Sequence, residues 1–226
     1  MSVFRHERAS EKHELDSAGA VNLDAITGHA EKFWGPVETV FHEIISEYVH
    51  LDVLFVAPTA ARPFRTLVTS GMSDRPMTAP LDGEKFAELV ISLPADWPVD
   101  ETSRKEDRHY WPIRQLKYLA RFPHEYDTWL AFGHTVPNGD PPEPFAENTP
   151  FCCSLICEPV LADEGCERLV VSPEKTLHLY SLIPIYRDEM DFALEHGSTG
   201  LIQRLSDADV TELLDVHRQS VCHEHT

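Results

Sequence analysis

Residues 62–97, RPFRTLVTSGMSDRPMTAPLDGEKFAELVISLPADW, decide how the rest of the chain is read. Two short apolar runs, Phe64 to Ser70 and Phe86 to Leu93, are rich in β-branched residues and bounded by breakers, the pattern of strands with a buried face. The segment between them is rich in Gly, Pro, Asp and Ser, as a turn requires. Upstream, Val37 to Ile45 and Val49 to Val56 are also strand-like. Four successive strands are most simply an antiparallel meander. Before them, Asp24 is placed to cap a short helix through Phe33, with Gly35-Pro36 as its stop.

Downstream, Trp111-Pro112 opens a helix with Ile113, Leu116, Leu119 and Ala120 on one face, ended by Pro123. Trp129 to Val136 is expected as a strand, with Gly133 marking a bulge or close approach. Residues 137–150 contain five prolines and are expected as loop. Phe151 to Val160 and Leu177 to Pro184 are further strands, joined by an acidic connector. Ile185 to His196 and Thr199 to Leu205 turn helical, and Ser206 to Asp209 looks like a capping box for a last helix, Val210 to Val216. Strands first and helices late predict an α+β fold. The expected layout is a lead-in over 1–20, one domain over 21–222 and a tail over 223–226.

Thirty-eight acidic against nineteen basic residues give a net charge of −19. Such a surface repels phosphate backbones and anionic lipid, so neither nucleic acid nor a membrane is expected as partner. A basic protein would be attracted. Five cysteines form no even disulfide framework, and with no signal-peptide pattern the expectation is a cytoplasmic protein. No pattern specifies an oligomer.

No catalytic constellation emerges from spacing. Gly71-Met72-Ser73-Asp74-Arg75 approaches a G-x-S-x-G nucleophile elbow but lacks the second glycine that permits the tight turn. His42-Glu43 opens like a zinc-protease helix, yet the second histidine would fall on Ser46, and His50 is at the wrong spacing. Cys152, Cys153, Cys157 and Cys166 suggest a metal cluster, although adjacent Cys152 and Cys153 on a strand point to opposite faces. His217, Cys222, His223 and His225 make a second grouping at the C-terminus. Buried structural thiols and a free tail are the plainer readings. The alternative is a metal-binding or hydrolytic enzyme using Ser73 or these clusters. No cofactor is expected, since there is no glycine-rich phosphate loop.

TLVTSGMSDRPM, then AELVISLPADWP, WPIRQLKYLARF and GHTV, together resemble the suppressor of fused domain family. LHLYSLIPIYRDEMDFALEHG and the ending with Asp215 and Arg218 are similar to its C-terminal part, so the resemblance spans roughly residues 25 to 222. It implies a mixed, mainly antiparallel sheet covered by helices, and a protein-binding role in place of catalysis. Animal members clamp an extended peptide of a transcription factor as an added strand between two domains, of which this chain resembles the first. An aspartate that contacts the peptide there follows a glycine matched by Gly133, but here His134 stands in its place. Bacterial stand-alone members are linked to polymorphic toxin systems as immunity proteins. The resemblance and the charge together lead to a partner-binding surface carrying Trp129, Phe132, Gly133 and His134, if that strand lies at a sheet edge, beside the acidic 138–167 loops. The alternative is a regulatory scaffold with another protein partner.

Overall fold

The computed structural model describes residues 3–9, 20–43 and 48–223. The four expected strands form as an antiparallel meander: β1 (Val37–His42), β2 (Asp52–Val56), β3 (Phe64–Ser70) and β4 (Ala87–Pro94). β5 (Thr135–Pro137), β6 (Cys153–Cys157), β7 (Arg168–Ser172) and β8 (Lys175–Ile185) complete one sheet in the order β1-β2-β3-β4-β8-β6-β5, with β7 on β8. Only β4 and β8 run parallel. His178 pairs with both Ala87 and Arg168, and Ser181 with both Val90 and Cys157, so β7 and β6 share the β8 edge opposite β4. The sheet is thus mixed and mainly antiparallel.

Side-chain alternation divides the core into layers. Val53, Phe55, Leu67, Leu89 and Ile91 pack against Ile113, Leu116 and Leu119 of helix α2 (Asp107–Glu125). On the opposite face, Leu54, Val56, Val68, Val90, Leu177 and Leu179 meet Ile26, Ala30 and Phe33 of α1 (Leu23–Phe33). Further along that face, Leu155, Ile183 and Ile185 receive Met190 and Ala193 of α3 (Arg187–His196) and Leu201 and Leu205 of α4 (Ser198–Asp207).

Several boundaries differ from the sequence expectation, each for a visible reason. At the start of α1 the N-cap is Asn22, with Asp24 in the first turn. α2 begins at Asp107 and runs through Pro112 and Pro123 to Glu125. Pro112 lacks the N–H that would meet the Arg108 carbonyl, and the Asn148 side chain donates to that oxygen instead at 3.0 Å. Within Trp129 to Val136 only Thr135 and Val136 are strand, because Gly133 takes φ +82° and turns the backbone. The long connector contains β7, a short strand with no fully buried residue that hairpins onto β8. Ile45, at the end of the first expected strand, lies outside the described residues.

The largest correction concerns Val210 to Val216, which is not a helix. Asp209 at φ +54° breaks the chain away from α4. Leu213 then bridges Ser92 of β4 in parallel: the Ser92 N–H donates to the Glu212 carbonyl at 3.1 Å, and the Leu214 N–H to the Ser92 carbonyl at 2.8 Å. The Glu212 carboxylate, fully buried, accepts the N–H groups of Val160 and Leu161 at 3.0 and 2.9 Å. Arg218 fixes the end of this segment, gripping Glu189 of α3 at 2.6 and 2.7 Å with its guanidinium over the rings of Phe151 and Tyr186. Polar anchoring, not helical periodicity, sets this path.

Burial pushes the Glu212 carboxyl above its ordinary 4.5, against the pull of its N–H donors. A carboxyl with a raised folded value favours folding below that ordinary value, and the contribution is lost as pH rises through the folded one. The melting temperature should therefore fall less steeply above pH 4.5 in Glu212→Gln than in the parent, as measured by thermal denaturation across pH.

Candidate functional site

β5 ends the sheet. It pairs with β6 through Thr135↔Leu155, Val136↔Ser154 and Pro137↔Cys153, and no other described strand covers its outer edge. An exposed edge offers unpaired backbone donors and acceptors, and a three-residue strand closed by Pro137 limits unwanted pairing. Beside this edge lies a groove of about 630 Å³, lined by Trp129, Leu130, His134 and Val136, by Phe122 of α2, and by Met190 and Leu194 of α3. The walls are mostly apolar. Arg187, Asp191 and Asp140 supply charge at the margins.

Of the four residues singled out in the sequence, Trp129 and His134 line the groove, their rings 5.6 Å apart and edge-on. Phe132 is 49% exposed on the adjacent turn. Gly133 is buried below it, where a Cβ would come within 2.7 Å of the Ser198 hydroxyl. Its N–H donates to the Ile156 carbonyl at 2.8 Å, extending the β6 pairing past β5. Residues missed by sequence reasoning come from the lead-in: Val3, Phe4, Arg5 and His6 form one wall. Phe4 packs on Trp129 at 6.4 Å, His6 sits edge-on to Phe122, and Ala9 donates to the Glu125 carbonyl at 2.8 Å. No local pattern could have revealed that, since more than a hundred residues separate Phe4 from Trp129.

Ser73 is placed quite differently. It is fully buried, and its hydroxyl and N–H both donate to Glu88 Oε1, at 2.7 and 2.9 Å. The Gly71 N–H joins the same oxygen at 2.9 Å, and Thr69 donates to Oε2 at 2.6 Å. Asn22, ahead of α1, donates to the Ser73 hydroxyl at 3.2 Å. Gly71 has φ +122°, and a Cβ there would stand 1.9 Å from the His50 carbonyl oxygen, so only glycine fits. This is a latch between β3 and β4, with the hydroxyl committed to a carboxylate.

The cysteines are free thiols, and Cys152, Cys153, Cys157 and Cys166 are buried. Desolvation pushes Cys157 and Cys166 up to about 12 and Cys153 well above 9.0, which makes them poor nucleophiles and ligands. Among the described residues they do not converge on a common point; the one group of three that does is His42, His50 and Asp52. In the tail, His223 reaches Asp188 at 3.2 Å and Cys222 lies 3.9 Å from Arg204, while His225 is outside the described residues.

The sequence pattern of the Suppressor of fused protein (SUFU) family matches residues 47–219. The chain belongs to that family. Solved structures share the fold across most of its length. A SUFU homologue from Neisseria gonorrhoeae is 21% identical with a TM-score of 0.65, over 89% of this chain and 97% of that one. A chain of a Sufu–Fu complex is 16% identical with a TM-score of 0.61, over 88% and 92%. Drosophila Suppressor of Fused is 15% identical with a TM-score of 0.58, and only 50% of its length is covered. No curated protein matches the sequence. The α+β reading and the family resemblance are both upheld, and among the described residues no helix is long and apolar enough to cross a membrane.

Two measurements check these assignments. Glu88→Gln keeps one carbonyl oxygen for the Gly71 and Ser73 N–H groups but turns an amide NH2 toward the Thr69 hydroxyl that donates to the carboxylate, and should cost about 1–3 kcal/mol in urea unfolding. Burial in the groove pulls the His134 imidazole below its ordinary 6.5, so its NMR titration midpoint should lie under that value. A lowered value means that its contribution to stability is intact above pH 6.5 and is lost as pH falls through the folded value.

Proposed function

We propose that this SUFU-family chain is a non-catalytic protein-binding module whose partner is a basic protein seated at the β5 edge. The observation that carries the reading is the juxtaposition of that unpaired edge with the apolar groove holding Trp129 and His134. An edge strand supplies backbone hydrogen bonds to an added segment, and adjoining pockets supply specificity, the physics of strand addition. A half-buried Trp beside a groove is the side-chain type that anchors interfaces. Phe132 and Gly133 present the adjoining turn; of the acidic 138–167 stretch, the loop carrying Asp140 lines the groove, while the Leu161 and Cys166 carbonyls meet Arg62 and His29 elsewhere.

Charge supports the same reading. At −19 the chain attracts basic surfaces at long range, which raises association rates more than final affinity. A basic toxin domain acting on nucleic acid is the partner class that fits best, and the chain is then its immunity protein. The Sufu–Fu complex shows a chain of this fold solved with a protein partner. The commitment of Ser73 to Glu88 supports a non-catalytic role. The free thiols suit a cytoplasmic setting. The binding unit is taken as residues 21–222, with the 1–20 lead-in reaching the groove and 223–226 as tail.

Co-expression with the product of the adjacent gene tests the proposal. A complex that weakens with salt, rescue of any toxicity, and a loss of about 2 kcal/mol or more in Trp129→Ala are expected. No complex at low salt, together with no rescue, overturns it.

A further inference from the structure

His42 ends β1 and Asp52 opens β2, and the antiparallel register places them directly opposite each other. His50 stands two residues before Asp52 on the same side of the junction. His42 Nδ1 lies 3.0 Å from Asp52 Oδ1, and His50 Nε2 lies 3.1 Å from that same oxygen. The three candidate donor atoms all fall within 4.8 Å of one another. Ligands bound at about 2.0–2.1 Å around a tetrahedral or wider cation are about 2.9–3.4 Å apart, so two of the three edges already have ligand spacing.

A second observation concerns Asp52 itself. Its side chain is fully buried, yet Oδ2 accepts no hydrogen bond among the described residues. Buried carboxylates are normally satisfied on both oxygens or neutralised by a cation. Here two imidazoles crowd one oxygen, and among the described residues the other has no donor. Glu43, next to His42 in sequence, is already engaged by Lys117 at 2.6 Å and Arg121 at 2.8 Å, so it is not the third ligand that an H-E motif would suggest. The His50 position is enforced from below: the absent side chain of Gly71 leaves the space that the His50 carbonyl occupies.

We propose that His42 Nδ1, His50 Nε2 and Asp52 form a binding site for a divalent first-row transition-metal cation of the zinc class. Two imidazoles and one carboxylate select such an ion over calcium or magnesium, which prefer all-oxygen shells. The His42 ring is 61% exposed, so the fourth position opens to solvent, and a bound cation would clip the ends of β1 and β2 together. Binding requires both imidazoles to present a lone pair to the cation.

The test uses the full chain carrying Cys222→Ser, His223→Ala and His225→Ala, which removes adventitious binding at the tail. After chelator treatment it is titrated with Co2+, followed by visible absorption, and then with Zn2+, followed by melting temperature. One equivalent of Co2+ with a ligand-field band is expected, along with an upward Zn2+ shift in melting temperature. His42→Ala, chosen because the exposed ring leaves the core intact, should weaken binding at least about tenfold and abolish the shift. His50→Ala should do the same. Binding that is confined to the native tail, or unchanged by His42→Ala, overturns the proposal.

Discussion

The Glu88 carboxylate is the constraint on which the rest of the sheet depends. It projects from the start of β4 into a fully buried site, and burial alone would make it unstable there. Two side-chain hydroxyls and two backbone N–H groups from Thr69 to Ser73 surround it. The turn after β3 is thereby locked against β4. Gly71 is obligatory in that turn because the connection from β1 to β2 passes over it. Asn22 reaches the same hydroxyl and brings α1 to its face of the sheet. One carboxylate thus coordinates two strands, a turn and a helix.

The same economy recurs in the C-terminal part. Glu212 gathers the backbone at Val160 and Leu161, and Glu189 with Arg218 ties the last described segment to α3. Each is a buried carboxyl surrounded by donors, which specifies a path for irregular chain that apolar packing alone would leave loose. Among the described residues no strand covers the β5 end of the sheet. The groove forms there because α2, the 129–134 turn and α3 converge without another strand to fill the edge. A stable sheet and an open edge are consequences of one arrangement.

How much of this was legible varies with the range of the interaction. The strand pair around Gly71 could be read locally, because alternation, β-branching and turn residues all lie within one window. The α2 face was visible for the same reason, although its start was not: Asp107 to Tyr110 carry no apolar stripe, and Pro112 is tolerated mid-helix only because Asn148 meets the freed carbonyl. Val210 to Val216 has helical spacing in isolation, yet the hydrogen bonds offered by Ser92 hold it alongside β4. Trp129 and His134, singled out in sequence as partner-binding residues, share one groove, but the lead-in that forms its other wall came from far away in sequence.

The sequence by itself determined the meander, the covering helix, the acidic charge and the family signature, because periodicity, composition and turn chemistry act over short distances. Only the tertiary structure decided what the signature's polar residues do. Ser73, which looked in sequence like the start of a nucleophile motif, is a donor to a carboxylate on the next strand. His42 and His50, whose spacing fits no helix face, converge on Asp52 because antiparallel pairing measures distance across a hairpin, not along a chain. Contacts set by strand register and long-range closure have no local pattern to read, and the groove, the latch and the histidine pair are all contacts of that kind.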